Sequence, residues 1–197
     1  MRTIIAVVLF LCIIGSTSSV KAGGVKGKVS IPGESNLENV IVYLDGVKGT
    51  FPVPSKHAEM NHLNLQFVPH ILAVMKGATV DFPNSDTVLH SAFSISKSNP
   101  FELGIYGQGH EKLMTFQNPG LVELFCHIHS HMHGYILVLE NPFFGMTAKD
   151  GSYSIPNVPN GTYSLKAWLS PSDNIEKTVT ISGNETLSED FTLTAKR

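Results

Sequence analysis

The sequence predicts an all-β protein, and three features of the chain favour this fold class. Short runs of β-branched or alternating apolar residues recur along it. Turn residues such as Pro-Gly, Asp-Gly and Asn-Gly separate these runs at spacings of about ten residues. No stretch of the sequence keeps a helical period over several turns. Many short strands joined by regular turns are typical of β-sandwiches and β-barrels.

Each predicted strand is a short run bounded by turn residues. The predicted strands are 25–31, 40–44, 65–69, 78–82, 91–95, 112–116, 121–125, 135–140, 152–156, 162–168, 177–181 and 190–194. One further segment, 55–63, is predicted to form a short helix. The chain has 197 residues, which predicts one or two small domains with a real core.

The composition argues against two classes of protein. Hydrophobic residues make up 42% of the chain and charged residues only 15%, so there is ample apolar surface for a folded core and disorder is not expected. The net charge is −2, whereas a protein that binds nucleic acid by neutralising phosphates is normally basic. We therefore expect no nucleic-acid partner.

The first 22 residues have the form of a secretory signal peptide. A positive charge at Arg2 precedes an apolar run from Ile4 to Gly15, and small residues, Val20 and Ala22, stand at the −3 and −1 positions of a cleavage site. The run is shorter than the roughly 20 residues that a membrane-spanning helix needs. These features predict export with cleavage after Ala22, a periplasmic or secreted location, and no membrane span after cleavage.

Cleavage would leave Cys126 as the one cysteine of the mature chain, because Cys12 lies in the predicted signal peptide. Two cysteines cannot form a disulfide framework, and a lone thiol in an oxidising compartment is liable to oxidation. Burial or metal ligation would protect it. The chain also has nine histidines, and histidine is a common metal ligand, so the composition is compatible with metal ligation of the thiol.

Histidine, cysteine and methionine residues cluster in segment 121–139, between two predicted strands. If the cluster continued as a strand, alternate residues would share a face, as in a zinc or nickel site of the H-x-H type. The residues on that face would be His127, His129, His131 and His133. If the cluster is a loop, Cys126, His129 and Met132, spaced C-x-x-H-x-x-M, converge on one ion. Thiolate, imidazole and thioether are the ligands of a mononuclear copper electron-transfer site.

A copper site of this kind needs a second histidine, and His90 is the candidate. It follows a predicted strand ending at Phe82 and a polar turn at 84–86. Two neighbouring strands that reach the same edge of a sandwich would bring His90 against the loop that contains Cys126. Asp81 and Asp86 are interpreted as turn or surface carboxylates. Four other histidines are interpreted as structural: His57, His62, His70 and His110.

The stretch from about 65 to 140 resembles the cupredoxin family of plastocyanin-type blue copper proteins. The C-x-x-H-x-x-M-x-G loop is of the short kind seen in the amicyanin and plastocyanin branch. The other matching residues are Phe67, Pro69, Lys76-Gly77, Val80, Phe82, Asn84, His90 and Pro119-Gly120. The resemblance implies a Greek-key β-sandwich with one type 1 copper held by His90, Cys126, His129 and Met132. It also implies that His129 lies near the surface as the electron port.

The sequence departs from the cupredoxin pattern at two positions. Ser91 stands where the family usually has an asparagine that ties the two ligand loops together, and Ile128 stands where a proline often precedes the second histidine. Hydrogen bonding to the thiolate tunes the potential of such a site. His127, His131 and His133 would surround the port, either as solvent-facing loop residues or as a rim that docks a partner or holds a second copper.

A second resemblance covers segment 146–168, which is similar to the carboxypeptidase regulatory-like domain, a transthyretin-like β-sandwich. The matching residues are Thr147, Asp150-Gly151, Tyr153, Ile155, Val158-Pro159, Gly161, Tyr163 and Leu165. Segment 25–46 looks like the opening of the same domain. We therefore predict a split domain from 23–46 and 141–197, with a cupredoxin domain at 47–140 inserted. In the alternative, 25–46 supplies the first strand of the copper domain.

These observations predict an exported type 1 copper protein that carries electrons between Cu(I) and Cu(II) for an unidentified redox partner protein. No open coordination position and no acid–base pair are apparent in the sequence, so we do not expect an enzyme. One alternative is a periplasmic copper-binding or copper-handling protein without an electron-transfer role. Another is a surface- or carbohydrate-binding β-sandwich module.

Overall fold

A computed structural model describes residues 22–194. The predicted signal peptide lies outside the described residues except for Ala22, so the cleavage site stays a prediction. The described part of the chain consists of strands, turns and loops, which confirms the all-β prediction. It contains no helix that is long and apolar enough to cross a membrane.

The described residues form eighteen strands, numbered in chain order. The first nine are β1 (Ala22–Ser30), β2 (Ile41–Asp45), β3 (Ala58–Glu59), β4 (Asn61–Leu63), β5 (Gln66–Val68), β6 (Ile71–Met75), β7 (Thr79–Pro83), β8 (His90–Ser94) and β9 (Phe101–Tyr106). The others are β10 (Glu111–Thr115), β11 (Gly120–Phe125), β12 (His133–Leu139), β13 (Phe144–Met146), β14 (Ser152–Pro159), β15 (Gly161–Ser170), β16 (Asp173–Ile181), β17 (Thr186–Ser188) and β18 (Phe191–Thr192).

Strands from the two ends of the described chain form one β-sandwich. In its first sheet β1 lies between β14 and β17 and also pairs with β18, and in its second sheet the order is β13-β2-β15-β16. Apolar side chains from both sheets, among them Val25, Val42, Ile155 and Leu165, form the core between them. Segments far apart in sequence therefore share one hydrophobic core. The resemblance of this unit to the carboxypeptidase regulatory-like domain, and the predicted domain boundaries, stay predictions.

The middle of the chain forms a second β-sandwich. Its larger sheet has the order β6-β12-β11-β8-β9, and its smaller sheet has the order β10-β7-β3. The core between them contains Phe82, Phe116, Leu124 and Ile136, all fully buried. Strands β4 and β5 form a separate hairpin, which is linked to the rest by a bridge between His62 and Asn84.

A third apolar cluster lies between the two sandwiches. Successive residues of a strand point to opposite faces, so one strand can serve two cores. In β12, Ile136 faces the core of the second sandwich and Leu137 faces the third cluster, where it packs with Ile41 of β2 and Trp168 of β15. The two sandwiches are thus stacked through β6 and β12 on one side and β2 and β15 on the other.

The structure corrects several predictions about individual elements. Segment 55–63 is not a helix, because its residues form β3, which pairs with β7, and β4, which pairs with β5. Besides β3 and β4, four further strands were missed: β6, β9, β13 and β17. Strand β6 contributes residues to two cores, so its sequence is a continuous apolar run without the alternation that marks a half-buried strand.

Candidate metal centre

The candidate metal centre lies at one edge of the larger sheet of the second sandwich. Strand β11 ends at Phe125, immediately before Cys126, and its antiparallel neighbour β8 begins at His90. In an antiparallel pair the end of one strand lies beside the start of the other. The residues between β11 and β12 form a loop, and this loop returns the chain through His129 and Met132. The strand topology therefore brings His90 to the Cys126 loop.

The structure brings three of the four predicted ligands together. Nδ1 of His90 lies 3.2 Å from Nδ1 of His129, and Sγ of Cys126 lies 4.0 Å from the first and 3.8 Å from the second. The point equidistant from these three atoms is about 2.1 Å from each. Zinc, which is similar in size to copper, forms bonds of roughly 2.0–2.1 Å to imidazole nitrogen and roughly 2.3 Å to thiolate sulfur. The three donor atoms are spaced to hold one ion.

The thiol of Cys126 has a lowered pKa. Burial by itself raises the pKa of Cys126, but the polar contact with the His90 ring and the backbone hydrogen bonds from Ser91, His129 and Ile128 outweigh it and lower the pKa to about 6. At neutral pH the thiolate therefore predominates, and the thiolate is the form that binds metals. His90 and Cys126 are buried, and His129 is half-buried.

Met132, the fourth predicted ligand, ends the loop. Its amide donates a hydrogen bond to the carbonyl of His129 at 2.9 Å, and its side chain is 1% exposed in the same core as Cys126. A thioether is a weak axial ligand in sites of the His₂Cys type. Its burial beside the loop is compatible with that role, and the assignment of Met132 as a ligand stays a prediction.

The histidines of the predicted rim have three different surroundings. His127 stacks on Phe93, with ring centroids 3.9 Å apart, and its Nε2 lies 2.6 Å from a carboxylate oxygen of Glu102. His131 is exposed, and His133 packs edge-on against His70 at 5.0 Å. The interpretation of the cluster as a strand with four histidines on one face is wrong, because the chain leaves the sheet at Cys126.

Ser91 connects the two ligand segments. Its buried hydroxyl accepts a hydrogen bond from the amide of His127 at 2.9 Å and donates one to Sγ of Cys126 at 3.7 Å. A single hydroxyl therefore links β8 to the ligand loop and supplies a donor to the sulfur. This is the position where the resembled family usually carries an asparagine.

Replacing Ser91→Ala is expected to lower the free energy of unfolding of the metal-free protein by about 1 kcal/mol, because the amide of His127 loses a partly buried hydrogen bond. Removing the donor to sulfur should also lower the reduction potential of a bound copper. Chemical denaturation and voltammetry measure the two effects.

Ser94→Ala is a matched control for this substitution. Ser94 is a buried serine in the same strand, and its hydroxyl accepts the amide of Ser96 at 3.2 Å, away from the sulfur. We expect this variant to lose stability without a change in potential. Equal potentials in the two variants would contradict the role assigned to Ser91.

Two residues at the site were missed by the sequence interpretation. Asp86, interpreted as a turn carboxylate, accepts a hydrogen bond from Nε2 of His90 at 2.8 Å. His62, interpreted as structural, stacks on the His90 ring with a centroid distance of 5.2 Å and an interplanar angle of 9°. Burial lowers the pKa of His62 to about 4, so the ring is neutral at neutral pH. The spacing of Asp86 four residues before His90 was the available signal, whereas nothing local pointed to His62.

The remaining histidines and a cleft lie apart from the three ligands. Nδ1 of His57 lies 2.7 Å from a carboxylate oxygen of Asp81, and Nδ1 of His110 lies 3.2 Å from the carbonyl of Gln108. A cleft of about 970 Å³ lies between the two sandwiches, and its lining includes His70 but none of the predicted ligands.

The sequence matches no protein-family model and no curated protein. Solved structures that resemble the chain include a Cu-containing nitrite reductase from Thermus scotoductus SA-01, with 30% identity over 49% of this chain and a TM-score of 0.42. The chain spans only 25% of the length of that reductase.

Two other solved structures that resemble the chain are small cupredoxins. One is a purple cupredoxin from Nitrosopumilus maritimus, with 21% identity over 42% of this chain and 99% of the other, and a TM-score of 0.38. The other is a reduced amicyanin variant, with 18% identity over 44% of this chain and 86% of the other, and a TM-score of 0.41.

Proposed function

We propose that the protein is an exported type 1 copper protein that transfers electrons. The observation that supports this most is the convergence of two imidazole nitrogens and one thiolate, 3.2–4.0 Å apart, at the edge of a rigid sheet. Two histidines and one cysteine with a weak thioether are typical of blue-copper electron-transfer sites. Copper bound there would supply a one-electron couple between Cu(I) and Cu(II).

The residues of the chain hold the site in one geometry. His90 begins a paired strand, Cys126 follows another, and Ser91 ties the two together. Little of this frame would need to rearrange when the charge at the site changes by one electron. We propose no substrate turnover, because the proposed ligand set would surround the ion with the protein's own donors.

Exposed apolar side chains near the ligands support a protein partner. Leu89 precedes His90, Ile128 precedes His129, and Ile105 lies opposite Ser91 in the neighbouring strand. Leu89 is 55% exposed, Ile105 59% and Ile128 43%. Two of these exposed residues precede the candidate ligands in the chain, and the third pairs with the strand that begins at His90. We propose that a redox partner docks there and exchanges electrons through the His129 ring.

Titration of the purified protein with copper(II) tests this function. We expect one tightly bound copper per chain, an intense visible charge-transfer band from the thiolate, and a reversible one-electron wave in voltammetry. Zinc(II) should compete for the same site without producing colour. A protein that stays colourless with copper(II) would contradict the proposal.

A second candidate function is copper handling without electron transfer. The observation in its favour is the pair of His70 and His133, whose rings lie 5.0 Å apart beside the ligand loop, with exposed His131 nearby in sequence. In this case the titration should show more than one copper per chain. Loss of the additional copper in a His133→Gln variant, with the first copper retained, would support it.

A further inference from the structure

The His90 ring is oriented by hydrogen bonding at one nitrogen and by the cluster at the other. Its Nδ1 faces His129 and Cys126, and its Nε2 lies 2.8 Å from Oδ2 of Asp86. A carboxylate is an acceptor only, so the ring donates its proton from Nε2. This tautomer leaves Nδ1 unprotonated, with its lone pair on the side of the ring that faces His129 and Cys126.

Asp86 is itself held in place by the tip of the β4–β5 hairpin. Its Oδ1 accepts the amide of Asn64 at 2.7 Å, and its Oδ2 accepts the amide of Leu65 at 2.9 Å. Both tip residues are in the left-handed region, with φ of 54° and 58°. Leu65 is not a glycine, so this conformation costs free energy that the two hydrogen bonds to the carboxylate offset. The amide of Asp86 also donates to Oδ1 of Asn84 at 3.0 Å.

The same hairpin supports the face of the His90 ring. His62, in β4, stacks on it and is anchored by a hydrogen bond from Nδ1 to the carbonyl of Pro83 at 3.1 Å. The hairpin therefore supports the His90 ring in two ways. Its tip holds Asp86, whose carboxylate accepts a hydrogen bond at the edge of the ring, and its His62 side chain stacks on the face of the ring. His90 has no freedom to rotate without breaking one of these contacts.

We propose that Asp86 is a positioning residue that makes His90 a more strongly donating ligand and lowers the reduction potential of the site. A histidine whose second nitrogen donates to a carboxylate is a more basic ligand, and such outer partners change metal affinity by about 10–100-fold. The negative charge of Asp86 also favours the more positively charged oxidation state of the ion. The inference rests on the proposed copper function.

The test is the variant Asp86→Asn in the copper-loaded protein. We expect the visible band and the one-copper stoichiometry to remain, while the ratio of Cu(II) to Cu(I) affinity falls about tenfold. For a one-electron couple this is a rise in potential of about 59 mV. An unchanged potential in Asp86→Asn would overturn the proposal.

Asp81→Asn is the matched control. Asp81 also accepts a hydrogen bond from a histidine, His57, at 2.7 Å, but neither residue belongs to the cluster. We expect Asp81→Asn to leave the potential unchanged, so an equal rise in both variants would mean that only net charge matters and would contradict the positioning role.

A measurement on the copper-free protein separates this inference from the proposed function and needs no variant. Nitrogen-15 NMR of the histidine rings should show His90 protonated at Nε2 in the natural chain. A proton on Nδ1 of His90 would overturn the positioning role even if copper binds. The expected tautomer in a protein that binds no copper would uphold the Asp86–His90 contact and defeat the copper function alone.

Discussion

Replacing Cys126→Ser is expected to abolish the visible charge-transfer band completely, with any remaining copper bound weakly through imidazole. The thiol of Cys126 has a pKa lowered to about 6, so it is a thiolate at neutral pH. A serine hydroxyl does not ionise in this range and is a poor ligand for copper. The band therefore depends on one sulfur atom, and visible absorption with metal analysis measures its loss.

His57→Gln serves as the control for this substitution. His57 is an exposed histidine paired with Asp81 and lies outside the group of His90, Cys126 and His129. We expect the variant to keep both the band and the copper. Colour that survives Cys126→Ser, or that disappears in His57→Gln, would show that copper binds to surface histidines and would contradict the type 1 site.

The second large effect is expected from Gly27→Ala, which should lower the free energy of unfolding by about 4 kcal/mol. A Cβ at position 27 would lie 1.7 Å from the carbonyl oxygen of Glu189. That carbonyl is held by the hydroxyl of Tyr153 at 2.6 Å, and the amide of Glu189 donates to Lys26 at 2.9 Å. The backbone cannot move away without breaking these bonds, so the first sandwich would fail to close.

Gly107→Ala is the matched substitution for chemical denaturation. A Cβ there would meet only the Leu89 side chain at 3.5 Å, an ordinary contact. We expect a change in the free energy of unfolding of well under 1 kcal/mol. Because Gly27 and Glu189 come from opposite ends of the chain, similar stability of the two variants would argue against the close pairing of β1 with the C-terminal segment.

Much of the fold was predictable because strand periodicity is local. Predicted strands such as 121–125 and 162–168 lie within β11 and β15. Strand β6 was missed because both of its faces are buried, which removes the alternation. The false helix at 55–63 has a different cause, since the pairing of β3 with β7 and of β4 with β5 joins segments that no local period reveals.

The candidate ligands were predictable for a similar reason, and their surroundings were not. The residue types in the spacing C-x-x-H-x-x-M are enough to predict Cys126, His129 and Met132 as ligands. The same spacing is compatible with either a loop or a strand. The end of β11 at Phe125 decides for the loop. His62 and the hairpin tip at Leu65 approach His90 only through tertiary contacts, which have no signature in the sequence.

By itself the sequence determined that the chain is all-β, and it predicted one copper ion held by a thiol, two imidazoles and a thioether. Residue type and short-range spacing carry that information. Only the tertiary structure decided which nitrogen of His90 faces the cluster, which carboxylate holds the ring, and that strands from both ends of the chain share one core. These features depend on contacts between residues far apart in sequence, and such contacts form only when the strands pair.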